Sequence, residues 1–239
     1  MDIKAFKMDG LGNDFVIIDQ RSQSYNLTTD QIIKICDRNF IGCDQLIFIQ
    51  KSDKKDAFLE FYNSDGSISG ACGNGTRCVA DFLSKENNNK EIILWTSSGV
   101  LKSKILGDNL VETEIGIPKT NWNEIPLNKK LDTKNLNIRI VNKHKIEHVG
   151  GTSVNVGNPH VVFFVDNIED YDLKRIGPEI ENHNYFPEKC NVTLAKVISK
   201  KLIKVKVWER GAGLTKACGT AACATAVAAN INGLIDKKT

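Results

Sequence analysis

The strongest constraint on the fold is an internal repeat that spans most of the chain. A glycine-rich turn, "SGACGNGTRC", precedes an apolar segment at Cys72, and "TKACGTAACA" does the same at Cys218. The offset between these two cysteines also aligns "FYNSDG" with "VWERGA". Landmarks that recur in the same order predict two copies of one unit, which is too few for a solenoid.

Polar residues repeat at the same offset. Asn63 falls on Glu209 and Gln45 falls on Asn191, while a shift of one residue brings "GND" onto "GNP". Each of the last two motifs is followed by a run of β-branched and aromatic residues. The repeat therefore extends to candidate binding residues as well as to the framework.

The hydrophobic pattern predicts sheets with few helices. Runs such as "FVIIDQ", "QLIFIQ" and "LIKVKVWER" are typical of strands. Each cysteine turn opens into a segment without a clean polar face, and a helix that is apolar all round is buried. We predict an α+β fold of two pseudo-symmetric lobes, each a curved mixed sheet around a central helix, with the active site in the interlobe cleft.

The boundary between the lobes is predicted at a segment with two prolines and little periodicity, "IPKTNWNEIPLNKKLDTKN". It separates an N-terminal lobe, 1–117, with the first cysteine turn from a C-terminal lobe, 118–239, with the second. Three strand-like segments follow the first turn, whereas none is visible after Cys223. The second lobe is therefore expected to lack its last strands.

Composition excludes several classes of protein. The 239 residues carry a formal net charge of only +3, with scattered lysines, which argues against nucleic-acid binding. No segment approaches the roughly 18 apolar residues of a membrane span, and the N-terminus lacks the apolar core of a signal peptide. We expect a cytoplasmic protein. Seven cysteines, an odd number, fit reduced thiols better than a disulfide framework, and their spacing does not suggest a metal site.

The cysteine turns suggest acid–base chemistry. A cysteine at the N-terminus of a helix lies among unpaired backbone N–H groups and at the positive end of the helix dipole. Both effects favour the thiolate, so we expect the thiol pKa to be lowered at each turn. The same N–H groups can hold a carboxylate.

Two such turns that face each other would suit the inversion of a stereocentre without a cofactor. One thiolate would remove the α-proton while the opposite thiol delivers a new one. The negative charge that develops on the substrate would lie against two helix N-termini, where fixed dipoles stabilise it.

Six motifs together resemble the diaminopimelate epimerase family: "GLGNDFVIID", "CDQLIFI", "FYNSDGSISGACGNGTRC", "VNVGNPHVVFFV", "FPEKCN" and "VWERGAGLTKACGTAACA". The resemblance covers the chain from about Lys7 to Ala229, with a variable middle. It implies cofactor-independent interconversion of LL- and meso-diaminopimelate, on the route to lysine and peptidoglycan. It also makes diaminopimelate the small-molecule partner and allows for a homodimer.

The resemblance further implies roles for individual residues. Cys72 and Cys218 would exchange protons with the substrate, and His160 and Glu209 would belong to the catalytic centre. The substrate-binding set would consist of Asn13, Gln45, Asn63, Gly73, Asn74, Asn158, Asn191, Glu209, Arg210, Gly219 and Thr220. Taken without the resemblance, the asparagines are also compatible with turns, and His160 with a structural histidine.

Three alternatives remain at this stage. Another cofactor-free racemase or isomerase of the same scaffold, for example one that resembles proline racemase, would not need Arg210 for a second amino-acid head. A non-catalytic protein could use the two turns only to bind an amino acid. A thiol–disulfide redox protein could use the same two cysteines, although oxidation would more readily inactivate an epimerase.

Overall fold

The structure is a computed structural model that describes residues 3–70, 72–215 and 217–236. The chain divides into two compact units, the first of which ends at Ile115 and the second of which begins at Gly116. This division lies close to the boundary expected from the sequence. In the part of the chain that is described, every helix is too short or too polar to cross a membrane.

The described residues of the first unit form eight strands and two helices. Their bounds are β1 Ala5–Gly10, β2 Asn13–Asp19, α1 Thr29–Cys36, β3 Gln45–Gln50, β4 Ala57–Asn63, β5 Ile68–Ser69, α2 Gly73–Asn87, β6 Glu91–Thr96, β7 Gly99–Gly107 and β8 Leu110–Thr113. The strands form one mixed sheet in the order β1-β2-β3-β4-β6-β7-β8, and β5 pairs with β4.

The sheet of the first unit curls around α2. This helix packs against β1 and β2 near one edge and against β6, β7 and β8 near the other, which requires the sheet to curve. Leu83 of α2 is fully buried among Phe15, Ile47 and Phe61 of the sheet, and burial of such a side chain stabilises the fold by about 1.5–3 kcal/mol. The predicted arrangement of a curved sheet around a central helix is confirmed here.

The opposite face of β2 and β3 is covered by α1, so both strands are buried on two sides. Val16 and Leu46 face this second cluster, together with Ile32 of the helix. Strands buried on both faces become continuously apolar rather than alternating, as "FVII" and "LIFI" show. The helix begins with a capping box in which Thr28 and Gln31 exchange hydrogen bonds between side chain and backbone.

The second unit contains seven strands, two α-helices and one turn of 3₁₀-helix in its described residues. Their bounds are β9 Ile138–Val141, β10 Glu147–Gly150, β11 Thr152–Asn155, β12 Pro159–Phe164, the 3₁₀ turn Ile168–Asp170, α3 Leu173–Glu181, β13 Asn191–Ser199, β14 Leu202–Glu209, β15 Gly213–Thr215 and α4 Gly219–Ile231. The main sheet has the order β11-β12-β13-β14-β15, and β9 and β10 form a separate hairpin.

The two units repeat one topology, which confirms the duplication. In the first, β1 is antiparallel to β2, β2 is parallel to β3, and β3, β4 and β5 follow as antiparallel neighbours. Strands β11 to β15 pair in the same way. Helices α1 and α3 occupy equivalent places along the chain, as do α2 and α4, whereas β6, β7 and β8 have no counterpart among the described residues of the second unit.

The segment predicted as a linker instead belongs to the second core. Ile125 is fully buried and Leu127 nearly so, in a cluster that includes Phe163 and Ile176. Trp122 also packs against this cluster. The linker prediction was therefore wrong beyond the first residues of the segment, because irregular backbone with prolines can still bury apolar side chains.

Candidate active site

Each cysteine turn places its cysteine at the N-cap of a helix. Cys72 precedes α2 with φ −141° and ψ 112°, and Cys218 precedes α4 with φ −134° and ψ 110°. An N-cap residue is extended while the first N–H groups of its helix remain unpaired. Gly73 and Asn74 form the first turn of α2, as Gly219 and Thr220 form that of α4, so each turn presents backbone donors beside a thiol.

The remaining predicted site residues cluster at one end of the sheet in each unit. In the first unit these are Asn13 at the start of β2, Gln45 at the start of β3 and Asn63 at the end of β4. In the second unit they are Asn158 and His160 at the start of β12, Asn191 at the start of β13, and Glu209 and Arg210 at the end of β14. Both sets follow from strand direction, because the first two strands of each set are parallel and the third is antiparallel.

Two N–H donors lie beside the thiol of Cys72. Its Sγ atom accepts a hydrogen bond from the backbone N of Gly75 at 3.5 Å and lies 3.9 Å from the amide nitrogen of Asn13. The backbone oxygen of Cys72 accepts from both the N–H and the hydroxyl of Thr76 at 2.8 Å. These contacts fix the turn and aim polar hydrogens at the sulfur, an arrangement that suits a thiolate.

Gly75 allows the first turn to approach the sheet. A Cβ atom at this position would lie 2.6 Å from Cδ1 of Ile47 and 3.1 Å from Cε1 of Phe61. The helix N-terminus thus rests directly on β3 and β4, which hold Gln45 and Asn63. The glycine content of this motif therefore serves packing as well as turn geometry.

Gln45 and Asn63 face each other across paired strands. The amide nitrogen of Gln45 donates to Oδ1 of Asn63 at 2.8 Å, and Asn63 donates in turn to the hydroxyl of Ser67 at 3.0 Å. Oε1 of Gln45 is buried without a hydrogen-bond partner. An unsatisfied buried acceptor is costly, so this oxygen is well suited to receive a donor from a ligand such as an ammonium group.

Charge and burial dominate the surroundings of Cys218. Burial raises the pKa of its thiol to about 12, and the negative charge of Glu209 adds to this effect. The sulfur lies 3.3 Å from the hydroxyl of Thr220. The expectation that the helix N-terminus lowers the thiol pKa at both turns is therefore wrong for Cys218. Burial and the nearby carboxylate raise the pKa of this thiol by more than the helix dipole lowers it.

His160 is a buried neutral side chain. Its Nε2 atom lies 2.8 Å from Oδ1 of Asn158 and 3.4 Å from the amide nitrogen of Asn191. Burial, with a smaller contribution from the charge of Arg210, lowers its pKa to about 3. The shorter contact assigns the proton to Nε2, which leaves the Nδ1 atom as an acceptor, and Nδ1 has no partner. With this tautomer His160 donates to Asn158, while the amide of Asn191 only packs against the ring nitrogen.

Asn191 and Arg210 tie neighbouring strands together. The amide of Asn191 donates to the backbone oxygen of Pro159 at 3.1 Å, and its Oδ1 accepts from the backbone N of Arg210 at 3.0 Å. The guanidinium of Arg210 donates to the backbone oxygen of Glu188 at 2.8 Å, yet its side chain is solvent-accessible. A guanidinium has five donors, so Arg210 keeps others for a substrate carboxylate.

The family follows from comparison with known proteins. The family model described as "Diaminopimelate epimerase" matches residues 5–120 and 152–239. The diaminopimelate epimerase of Pelagibacter ubique (strain HTCC1062) is 76% identical over 239 residues, which cover all of this chain and 87% of the relative. The chain belongs to the diaminopimelate epimerase family. The segment outside the family model, between residues 120 and 152, includes the β9–β10 hairpin.

Solved structures of other proteins have a fold similar to that of this chain. A PhzF-family phenazine biosynthesis protein from Bacillus anthracis is 15% identical, with a TM-score of 0.64 over 95% of this chain and 79% of its own. A hydroxyproline epimerase from Agrobacterium vitis, solved with trans-4-hydroxy-L-proline, is 11% identical, with a TM-score of 0.63 over 98% and 78%. At such low identity, these likenesses show the two-lobed α+β fold alone.

Arg77, which sequence reasoning missed, contacts a predicted site residue. Its guanidinium donates to Oδ1 of Asn74, one turn earlier on α2. Asn74 is buried, so this contact fixes the side-chain amide at the start of the helix. The separation of three residues on a helix was the available signal, but it gains meaning only once Asn74 is assigned to the site. No cluster of metal-ligating side chains occurs among the described residues.

Proposed function

We propose that this family member interconverts LL- and meso-diaminopimelate without a cofactor, with Cys72 and Cys218 as its two proton-transfer groups. The observation that carries the proposal is that both halves of the repeat place a cysteine at a helix N-cap, in a chain 76% identical to a curated diaminopimelate epimerase. The product would serve lysine and peptidoglycan synthesis, which implies a cytoplasmic enzyme.

The two thiols have different resting roles. With a pKa of about 12, the thiol of Cys218 stays protonated at neutral pH and is ready to deliver a proton. The thiol of Cys72, which accepts backbone and amide hydrogen bonds, is the group that removes the α-proton. The C–H bond breaks toward one sulfur as a new C–H bond forms from the other, so the substrate regains its proton on the opposite face.

The reverse reaction exchanges these roles. Cys218 must then act as the base, and the carboxylate of Glu209 is close enough to take its proton. A group that serves both directions needs such a partner, because a buried thiol resists ionisation. Glu209 is therefore proposed as a catalytic residue, and His160 as a positioning residue that holds Asn158.

The polar set around the cysteines would bind the two heads of diaminopimelate. The N–H groups at Gly73–Asn74 and Gly219–Thr220 would hold the reacting carboxylate, where the developing negative charge is stabilised. Asn13, Gln45, Asn63, Asn158 and Asn191 would bind or orient ammonium and carboxylate groups. Arg210 would grip the distal carboxylate, which a bidentate guanidinium suits.

Proton exchange tests the function directly. LL-diaminopimelate incubated with the protein in heavy water should yield meso product that carries deuterium at the inverted α-carbon, as followed by NMR and chiral chromatography. Substrate that keeps its α-proton would refute catalysis and leave a binding protein. Sedimentation would test the homodimer that the resemblance allows.

A second cofactor-free isomerase reaction is the alternative that the fold neighbours raise, since one of them was solved with trans-4-hydroxy-L-proline. Proline and hydroxyproline lack a second amino-acid head and would leave Arg210 without a role. We expect neither to exchange its α-proton. Exchange with proline and none with diaminopimelate would favour the alternative.

A further inference from the structure

A buried carboxylate lies behind the turn that carries Glu209 and Arg210. Glu181 is the last residue of α3 and is only 6% exposed. Its Oε2 atom accepts a hydrogen bond from Nε1 of Trp208 at 2.7 Å, and its Oε1 atom accepts from the backbone N of Gly211 at 3.1 Å. One carboxylate thus bonds the residues on both sides of the Glu209–Arg210 pair.

The same helix also fixes the ring of Trp208. A Cβ atom at Gly177, one turn before Glu181, would lie 2.6 Å from Cγ and Cδ2 of Trp208, so the indole lies directly against the helix backbone. The ring face is therefore held by Gly177 and its N–H by Glu181. Because both contacts join Trp208 to α3, the position of α3 also fixes the backbone of the next residue, Glu209.

We infer that Glu181 is a positioning residue for the proposed reaction, which sets where Glu209 and Arg210 stand relative to the thiol of Cys218. Charged acceptors make short, strong hydrogen bonds, and this one joins α3 to both ends of the turn. The Nζ atom of Lys189 lies 4.0 Å from Oε1 of Glu181 and partly balances its negative charge. The expected effect on turnover rests on the proposed function, whereas the role of Glu181 in holding the turn does not.

The test compares Glu181→Gln with Glu179→Gln on the same helix. Gln keeps the volume of Glu181 but presents an NH₂ group to one of the two N–H donors, so one bond is lost. Glu179 is exposed and serves as the control. We expect Glu181→Gln to lower kcat/KM by about 10–100-fold, the effect of a displacement of roughly 1 Å, whereas Glu179→Gln remains near wild type.

Two readouts separate positioning from stability. Amide hydrogen exchange at Gly211 should accelerate in Glu181→Gln, and alkylation of Cys218 should shift to lower pH because the charge of Glu209 is held less closely. Trp208→Phe, which removes only one donor, should change both in the same direction and by less. A Glu181→Gln protein with wild-type kcat/KM, or with unchanged Cys218 alkylation, would overturn the inference even if it melted earlier.

Failure of the proposed function gives a different result. If the wild-type protein does not epimerise diaminopimelate, the proposed function falls. Gly211 exchange and Cys218 alkylation still report whether Glu181 holds the turn. An unaltered exchange rate in an active enzyme would instead refute the inference and leave the function in place.

A second feature stands apart from the reaction: two buried thiols meet in the first unit. Cys36 ends α1 and Cys43 follows the next turn, with 3.4 Å between their sulfur atoms. The backbone N of Cys43 donates to the oxygen of Cys36 at 3.2 Å, so the residues are held side by side. Both lie in the cluster of α1, β2 and β3, with 3% and 2% exposure.

The geometry points to Cys36 and Cys43 as a site of reversible oxidation to an intramolecular disulfide by hydrogen peroxide, a molecule small enough to enter through the surface pocket that Ile33, Cys36 and Asp37 line. The Cys43 thiolate would attack a peroxide oxygen and break the O–O bond, which forms a sulfenic acid and releases water. The thiol of Cys36 would then attack that sulfur, form the S–S bond and expel a second water. Two thiols lose two electrons, and one peroxide gains them.

The hydrogen bond between the two thiols lowers the pKa of Cys43, in agreement with this order of attack. The sulfur atoms need to approach by somewhat more than 1 Å to reach the usual bond length of about 2.05 Å. A side-chain rotation within a helix end and a turn can supply this movement, since the backbone positions are already paired.

Peptide mapping of the full chain after hydrogen peroxide treatment tests the site. We expect a linked pair of peptides that contain Cys36 and Cys43, lighter by two hydrogen atoms and separated by dithiothreitol. In Cys36→Ser, Cys43 should instead be trapped as a sulfenic acid by dimedone. Peroxide treatment that oxidises other cysteines and leaves this pair as thiols would overturn the proposal, as would a mixed pairing of Cys43 with another cysteine.

Discussion

The two cysteine turns share one backbone conformation and differ in what surrounds the sulfur. Cys72 caps its helix by accepting from Gly75 and lies near the neutral amide of Asn13. The backbone N of Ala221 approaches Cys218 without forming a capping bond of that geometry, and Cys218 lies near Thr220 and the carboxylate of Glu209. The duplicated backbone thus supplies two equivalent positions, and at one of them burial and the charge of Glu209 raise the pKa of the thiol.

This difference has a chemical use in an epimerase. A symmetric pair of low-pKa thiols would both rest as thiolates, and neither could donate a proton. The carboxylate of Glu209 stands at the position that Asn63 occupies in the other repeat, so an exchange of amide for acid adds to the effect of burial on the Cys218 thiol. Substitutions at either turn should therefore change turnover or thiol reactivity in a direction that can be stated in advance.

The largest expected effect is the loss of either sulfur. Cys72→Ala or Cys218→Ala should lower kcat by about 10²–10⁴-fold or more, the contribution of one acid–base group. Turnover is measured with LL-diaminopimelate in heavy water. Cys223→Ser, on the same helix as Cys218, is the control and should retain turnover. Normal rates in either alanine variant would disprove the two-thiol mechanism.

Removal of the charge beside Cys218 should make the two turns more alike. In Glu209→Gln, the thiolate of Cys218 is no longer opposed by a carboxylate, so its pKa should fall from about 12 toward its ordinary value. Alkylation of Cys218 by iodoacetamide, followed by mass spectrometry across a pH series, should shift to lower pH. We also expect a decrease in kcat on the order of 10-fold.

Asn63→Asp provides the reciprocal change in the first unit. The new carboxylate would stand where Glu209 stands in the second unit, so alkylation of Cys72 should shift to higher pH. Unshifted alkylation profiles in both this variant and Glu209→Gln would show that the acid–amide exchange does not cause the asymmetry.

Packing beneath the turns gives a smaller effect. Gly75 and Ala221 are equivalent third residues of their helices. The second unit accommodates the Cβ atom of Ala221, whereas a Cβ atom at Gly75 would lie 2.6 Å from Cδ1 of Ile47. Gly75→Ala should therefore destabilise the fold by about 1–3 kcal/mol through overpacking. Urea denaturation measures the change, and equal stability to wild type would contradict this account of the glycine.

The converse change, Ala221→Gly, serves as the matched comparison. It should cost about 1 kcal/mol through helix propensity, because Ala221 is fully buried within α4. A larger loss here than at Gly75 would reverse the proposed ranking of the two turns.

The smallest expected effect concerns acid stability of the first unit. Hydrogen bonds from Arg38 and then Lys7 hold the pKa of Asp14 below its usual range. Such a group adds stability above its unfolded pKa of about 3.9, and the contribution is lost as the pH falls below that value. Because the ion pairs are partly exposed, we expect less than about 1 kcal/mol.

Asp14→Asn should accordingly lower the melting temperature slightly near neutral pH and leave it almost unchanged at acid pH. The melting temperature of the variant should therefore depend less on pH below pH 5. Glu147→Gln, which breaks an exposed pair with Arg139 in the second unit, is the control. An equal effect from both substitutions would show that the Asp14 cluster has no special role.

The sequence predicted the framework well because duplication is visible in one dimension. The offset that aligned Asn63 with Glu209 and Gln45 with Asn191 places both pairs at equivalent strand ends. Continuous apolar runs such as "QLIFIQ" identified the central strands, since strands buried on both faces carry a strong signal. The β9–β10 hairpin and strand β1 were missed, because their alternation is short and partly polar.

Features that depend on distant neighbours could not be predicted. Glu181 and Trp208 lie 27 positions apart, and nothing in either local sequence indicates that they meet. The raised pKa of Cys218 likewise depends on burial and on the carboxylate of Glu209, neither of which the helix-dipole argument contains. The buried core contribution of Ile125 was obscured by the prolines around it.

The placement of all first-unit site residues at one end of their sheet has a practical consequence. Strand register puts the β7–β8 turn, at Asp108 and Asn109, at the other end. A fluorophore, an affinity handle or a surface-immobilisation point attached there would report on the enzyme from a distance and leave proton transfer undisturbed.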